Sequence, residues 1–186
     1  MYTDLFIRSL GLNDGLLGDA NIHGEWHHEV KGIYLDAHIR EKDIAKSHVY
    51  GYIYPIKPTS ALDLQIEADS TNLKFIEHYM SSITPEFNGR ASGNVHFYGK
   101  FKGLTMEGRV LGDASMKVDV LNTTFFIKYS ILIEPNGLTF HNNRIFDPQG
   151  NQGHVNGYLH YEHFKNLEYR FQFDVNNMLV MNTKES

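Results

Sequence analysis

The chain contains no cysteine, which excludes disulfide bonds, thiolate nucleophiles and metal sites built on cysteine. Reducing and oxidising compartments both tolerate such a chain, so this absence assigns no compartment. Basic residues are also scarce, because 17 Lys and Arg stand against 22 Asp and Glu and give a formal net charge of -5. Binding to a phosphate backbone needs a basic surplus. Nucleic acid is therefore not expected as a partner.

Long apolar runs are missing as well. The longest runs, at residues 131–133 and 178–181, fall far short of the roughly 18 residues that a membrane-spanning helix requires. The first ten residues carry Asp4 and Arg8 and contain no apolar core of a secretory signal. A chain of 186 residues is expected to form a single domain.

What the sequence does contain is alternation of apolar and polar residues. Between residues 169 and 175, Tyr, Phe, Phe and Val alternate with Arg, Gln and Asp, which is the period of a half-buried strand. The same period occurs at residues 33–40, 62–68, 117–120 and 127–134. Turn signals separate these segments at residues 13–15, 18–19, 112–113, 134–137 and 147–151. The pattern predicts an all-β antiparallel meander of about ten to twelve strands.

One segment breaks this period. Between Ser70 and Ser82 the apolar residues Leu73, Ile76, Tyr79 and Met80 follow helical spacing. Ser70 or Thr71 is a candidate N-cap, and the Thr84-Pro85 pair is expected to end the helix. The sequence thus predicts one short helix near residues 70–82, most simply as a cover for an exposed apolar edge.

Glycines recur at alternate positions on the predicted apolar side. The stretch at residues 89–95 is Gly-x-Ala-x-Gly-x-Val, and the stretch at residues 153–159 is Gly-x-Val-x-Gly-x-Leu. Glycine at such positions permits bulges and close backbone approach, as a strongly curled sheet requires, although it also marks turn edges.

No arrangement of residues predicts catalysis or metal binding. Among the eleven histidines, the closest clusters are His23 with residues 27–28, and His160 with His163. Strand alternation places His27 and His28 on opposite sides, and the spacing specifies no third ligand. We therefore expect surface histidines, with His96 and His154 on the polar side, and no metal.

The chain is likewise not expected to be an enzyme. Its serines lack a nucleophile elbow, its carboxylates form no marked acid–base pair, and its glycine-rich stretches lack the phosphate-binding signature. No cofactor is predicted.

Residues 87–110, FNGRASGNVHFYGKFKGLTMEGRV, carry the order F-x-G-x-A-x-G-x-V followed by G-L-x-M-x-G-x-V. This stretch resembles the translocation and assembly module family, TamB, and the similarity extends over residues 62–183. The resemblance implies a taco-like groove of curled β-strands with an apolar lining. It also implies that residues 1–186 are one segment of a longer periplasmic protein, which an upstream helix absent from this chain anchors in the inner membrane.

The same resemblance implies a non-enzymatic role in outer-membrane protein assembly or in phospholipid transport between the two membranes. The expected cargo is phospholipid or a hydrophobic polypeptide segment, with an outer-membrane barrel as partner of the full-length protein. The residues alone also allow a closed barrel, or a closed β-sandwich that binds carbohydrate or protein. The candidate groove-lining residues are Val95, Phe97, Leu104, Met106, Val118, Val120, Ile127, Tyr129, Ile131, Leu159, Phe171 and Phe173.

Overall fold

The computed structural model describes residues 1–42, 44–56, 61–77, 84, 86–162, 165–179 and 181. Its regular structure consists of eleven strands and two short 3-10 helices. The strands are β1 (Tyr2–Leu12), β2 (Gly15–His27), β3 (Gly32–Glu41), β4 (Ala45–Tyr54), β5 (Ala61–Asn72), β6 (Glu86–Lys100), β7 (Gly103–Val118), β8 (Thr123–Glu134), β9 (Gly137–Phe146), β10 (Gln152–Glu162) and β11 (Lys165–Val175). The 3-10 helices are Lys74–Ile76 and Asp119–Leu121.

All eleven strands belong to one antiparallel sheet. Their order in the sheet is their order in the sequence, so that β1 and β11 form its two edges and the sheet stays open. The sheet is curled. The all-β meander is therefore confirmed, and the strand number falls within the expected range. Among the described residues the strands form neither a closed barrel nor the two facing sheets of a sandwich.

The register aligns a continuous row of apolar residues on one face. Residues paired across antiparallel strands point to the same side of a sheet. One row crosses the whole sheet with one residue from each strand: Leu5, Ile22, Ala37, Val49, Ile66, Val95, Gly108, Ile133, Leu138, Leu159 and Tyr169. The side chains of this row carry no polar group before the hydroxyl of its last member, Tyr169. We call this side the apolar face and the other side the polar face.

The apolar face is also the more buried side. The hydrophobic side chains with the least exposure all lie on it by strand alternation, and they are Ala20, Ala37, Phe87, Ala91, Phe125, Ile133, Ile145, Val155 and Tyr161. Three of these nine are alanines, so few large side chains are sealed from solvent. The apolar face therefore holds the least exposed hydrophobic side chains of the described residues, in a thin buried layer.

Glycine occupies positions where neighbouring strands approach closely. Gly93 has a φ of +148°, and a β-carbon there would collide with the carbonyl oxygen of Arg109 on the neighbouring strand. This observation supports the expectation that the alternating glycines permit close backbone approach. Gly137 follows the expected turn after Glu134, but it does not have a positive φ. A β-carbon at Gly137 would instead meet the carbonyl oxygen of Leu159.

Two predicted turns are wrong. Gly18-Asp19 and Gly112-Asp113 lie inside β2 and β7, because in this sheet glycine accompanies tight strand packing as well as chain reversal. The turns expected at residues 13–15, 134–137 and 147–151 do connect successive strands.

The predicted helix begins later than its sequence pattern indicates. Because β5 extends to Asn72, Ser70 and Thr71 are strand residues and not caps. Helical backbone starts with the 3-10 helix Lys74–Ile76, where the side-chain oxygen of Asn72 accepts a hydrogen bond from the Lys74 N–H at 2.9 Å. Tyr79, Met80 and Pro85 lie outside the described residues. Within the described part of the chain, the helices are all too short or too polar to cross a bilayer.

Candidate functional site

The first candidate site is the apolar face. Register and alternation place eleven of the twelve predicted lining residues on this face: Val95, Phe97, Leu104, Met106, Val118, Ile127, Tyr129, Ile131, Leu159, Phe171 and Phe173. Val120 lies in the 3-10 helix Asp119–Leu121, because β7 ends at Val118. The strand period at residues 117–120 therefore extended two residues too far.

None of those eleven side chains is fully buried. Nine are partly exposed, and Phe171 and Phe173 on the edge strand are 38% and 58% exposed. In a closed core, large apolar side chains at the centre of a sheet are among the most buried in the protein. This intermediate exposure leaves part of each of these side chains in contact with solvent.

Tyr129 carries a polar group on this face, as do the buried Asn143 and Thr123, and the hydroxyl of Tyr129 is satisfied internally. The hydroxyl donates a hydrogen bond to the carbonyl oxygen of Arg90 at 2.8 Å, so that it joins β8 to β6 across β7. Burial, aided by the charge of Asp113, raises the pKa of Tyr129 to about 12. The tyrosine thus remains neutral at physiological pH and leaves the apolar face without a charge at this position.

The second candidate site is the histidine-rich polar face. By strand alternation it carries His23, His27, His38, His48, His96, His154 and His160. The predicted positions of His96 and His154 are therefore confirmed. Nδ1 of His23 lies 2.6 Å from Oδ1 of Asp4, and Nε2 of His96 lies 2.7 Å from Oδ1 of Asp63. The face thus pairs imidazoles with carboxylates on neighbouring strands.

The histidine clusters that stood out in the sequence do not form sites. His23 is paired with Asp4, whereas Nδ1 of His27 lies 3.0 Å from the hydroxyl of Tyr52. The hydrogen bond to Asp4 raises the pKa of His23 above its usual value, although partial desolvation of the imidazole opposes the rise. His163, the proposed neighbour of His160, lies outside the described residues.

A different cluster was missed by the sequence interpretation. Asp36, His38 and His48 bring one carboxylate oxygen and two imidazole nitrogens within 4.8 Å of one another. The sequence signal for this cluster is the symmetric placement of its two histidines about the reversal between β3 and β4. Glu41 pairs with Ala45, and His38 precedes Glu41 by as many residues as His48 follows Ala45. The expectation of no metal rested on the lack of a third ligand in the histidine spacing. At this position the strand register brings Asp36 beside the two histidines as a third candidate ligand.

Comparisons with protein-family models, with curated proteins and with solved structures found no match to the chain. The resemblance to the TamB family therefore stays a prediction.

Proposed function

We propose that the chain is a non-enzymatic segment whose curled sheet shields the acyl chains of phospholipid from water. The proposal depends chiefly on one observation, the row of eleven residues from Leu5 to Tyr169 that crosses every strand on the apolar face. Ten strand-to-strand spacings of about 4.7 Å make this row roughly 47 Å long along the sheet. That length exceeds the hydrocarbon core of a bilayer, about 30 Å.

The energetics favour such an occupant. Shielding an acyl chain contributes about 0.8 kcal/mol per methylene, so a chain of about fifteen methylenes gains on the order of 12 kcal/mol when it is fully covered. The half-exposed side chains of the apolar face would lose their remaining water contacts in the same event. No covalent chemistry is needed for this function.

An acyl chain suits the face better than a hydrophobic polypeptide. A polypeptide carries backbone N–H and C=O groups, and each such group costs free energy when it is buried without a partner. The row at the centre of the apolar face offers no polar side chain before its last residue, and the hydroxyl of Tyr129 already donates to Arg90. We therefore propose phospholipid as the ligand of the apolar face. The experiment below also tests a hydrophobic polypeptide.

The resemblance to the TamB family adds a biological setting to this proposal. In that setting the segment belongs to a longer periplasmic protein, acts with an outer-membrane barrel partner and serves outer-membrane biogenesis. A continuous row of uncharged residues across the sheet is what passage or storage of acyl chains between two membranes requires.

The absence of native cysteine permits a direct experiment. A single cysteine is introduced at Phe97 on the apolar face, or at Asn94 on the polar face of the same strand, and is labelled with a polarity-sensitive fluorophore. Vesicles or short-chain phospholipid are then added. We expect a blue shift and collisional quenching by acyl-chain quenchers at position 97, and neither effect at position 94.

The matched control separates the face from general surface adsorption. Equal responses at positions 94 and 97 would contradict a specific site on the apolar face. A response at position 97 to an apolar peptide but not to phospholipid would identify a hydrophobic polypeptide, and not phospholipid, as the ligand. Sedimentation that shows a dimer, with position 97 insensitive to lipid, would assign the face to a second copy of the chain.

A further inference from the structure

The hairpin of β3 and β4 places two histidines directly opposite each other on the polar face. His38 pairs with His48 in the register, and Asp36 lies two residues before His38 on the same side of β3. The imidazole rings are stacked, with centroids 4.2 Å apart and planes 8° from parallel. A paired position on two central strands of a sheet is a rigid place for side chains that act together.

The nitrogen atoms of both rings point to the same carboxylate oxygen. Oδ1 of Asp36 lies 3.1 Å from Nε2 of His38 and 2.9 Å from Nε2 of His48. Tetrahedral zinc with bonds of about 2.0–2.1 Å separates neighbouring ligand atoms by about 3.3 Å. The two observed separations are close to that value, but the stacked ring planes are nearly parallel, so at least one imidazole has to turn about its side-chain torsions before both nitrogen lone pairs reach one ion.

A second carboxylate lies behind His48. Oε2 of Glu67 on β5 lies 3.8 Å from Nδ1 of His48, and Oε1 of Glu67 accepts a hydrogen bond from the Tyr50 hydroxyl at 3.0 Å. Metal-binding imidazoles usually direct their other ring nitrogen at a carboxylate, which fixes the tautomer and the ring orientation. Glu67 is in the position for that role.

The surroundings leave room for an ion and a water ligand. A surface cavity of about 300 Å³ adjoins the two histidines and is also lined by Arg40, Lys46, Glu67 and Asp69. The two cations and the two carboxylates offset each other, so attraction for a cation has to come from the three ligands themselves. His38 is 64% exposed along its side chain, which gives an ion an entry path from solvent.

We propose that Asp36, His38 and His48 form a site for a divalent transition-metal ion, with zinc as the natural candidate and Glu67 as the residue that orients His48. Three protein ligands leave one tetrahedral position for water. The bound ion would join β3 to β4 on the polar face. The site is independent of the proposed lipid function, because it lies on the opposite side of the sheet.

The test uses untagged protein, so that no added histidines compete. We expect calorimetry at about pH 7.5 to show one equivalent of Zn²⁺ bound, and weaker binding at about pH 5.5 because the imidazoles must be neutral to coordinate. A bound ion should also raise the melting temperature in proportion to the logarithm of its concentration. With Cu²⁺ as probe, electron paramagnetic resonance should show coupling to two nitrogen atoms.

Variants assign the site to its residues. His38→Ala and Asp36→Asn should each weaken Zn²⁺ binding at least about tenfold, and Glu67→Gln should weaken it by a similar or smaller factor. His160→Ala removes an exposed histidine of β10 and serves as the control that should bind Zn²⁺ normally. Circular dichroism verifies that each variant keeps the β-sheet spectrum.

Several outcomes would overturn the proposal. Zinc binding that survives both His38→Ala and His48→Ala would assign the ion to other histidines. If the wild type does not bind Zn²⁺ stoichiometrically, the proposed metal site is wrong, and Asp36 only pairs with the two imidazoles. Loss of binding in His160→Ala would point to non-specific coordination by scattered surface histidines.

Discussion

Gly112 on β7 lies directly opposite Tyr129 on β8, and a β-carbon at Gly112 would come within 2.9 Å of the tyrosine hydroxyl oxygen. The missing side chain leaves space for the tyrosine to cross β7 and reach the Arg90 carbonyl on β6. A β-carbon there would also collide with that same carbonyl oxygen. Glycine and tyrosine at this pair of positions are therefore a single structural device that ties three strands together.

This device leads to a prediction about stability. Tyr129→Phe removes one hydrogen bond and should lower the free energy of unfolding by about 1 kcal/mol. Gly112→Ala should cost more, because it displaces the tyrosine and crowds the Arg90 carbonyl as well. Urea denaturation measures both variants. If Gly112→Ala is as stable as the wild type, the close packing at this position is not present in solution.

A charge on the apolar face distinguishes an accessible groove from a sealed core. An unpaired carboxylate in a sealed core costs several kcal/mol and unfolds a domain of ordinary stability. Phe97 and Phe171 are partly exposed, so that water can reach Asp at either position. We expect Phe97→Asp and Phe171→Asp to stay folded, with a modest loss in melting temperature, and to lose phospholipid binding.

The controls for that prediction lie on the polar face of the same strands. Asn94 and Gln172 are exposed and alternate with the apolar residues of β6 and β11. Asn94→Asp and Gln172→Asp should change neither folding nor phospholipid binding. If Phe97→Asp and Phe171→Asp unfold the chain and the wild type carries no lipid, the proposed groove is incorrect.

Asp147 should make the chain sensitive to strong acid. Burial favours its protonated form, but hydrogen bonds from the Asn151 side chain and from the backbone N–H groups of Leu179, Asn151 and Gln149 outweigh it and lower its pKa to about 2. In the unfolded chain the pKa of an aspartate is about 3.9. The stabilisation is therefore complete above about pH 4 and is lost as pH falls toward 2.

Asp147→Asn checks this assignment. The variant should melt several degrees below the wild type at neutral pH, and the difference should shrink as pH approaches 2. Because Leu179 donates to Asp147 at 2.7 Å, proteolysis of the segment after β11 should also become faster. An unchanged difference between the two proteins from pH 7 to about pH 2 would contradict the role given to the Asp147 carboxylate.

The strands and their faces could be predicted from the sequence because alternation is a local property. Phe97 and Phe171 were assigned to the apolar side by the polarity of their neighbours alone. The strand register could not be predicted from alternation alone, because it depends on the length of each connection between strands. The pairing of His38 with His48 follows from the three residues between Glu41 and Ala45, a connection that carries none of the glycine signals used to locate turns.

The glycine errors have a related physical cause. Gly18 and Gly112 were expected in turns, but both lie within strands. The space that Gly112 leaves is used by Tyr129, a residue 17 positions later that is brought opposite by the sheet. A local pattern cannot distinguish a glycine that reverses the chain from one that admits a side chain of the next strand.

The ion pair of His23 and Asp4 should make the first edge strand sensitive to pH near neutrality. Asp4 lies opposite His23 on β1 and β2, and their hydrogen bond raises the pKa of the imidazole above 6.5. A raised pKa in the folded state means that the stabilisation is complete below about pH 6.5 and is lost as pH rises through the folded value. Amide hydrogen exchange in β1 should therefore accelerate, beyond its intrinsic pH dependence, as pH increases through this range. Asp4→Asn should abolish the effect and return the imidazole titration, followed by nuclear magnetic resonance, toward its ordinary value, whereas Asp14→Asn in the adjoining turn should preserve both. A pH-dependent step that persists in Asp4→Asn would show that another group controls the edge strand.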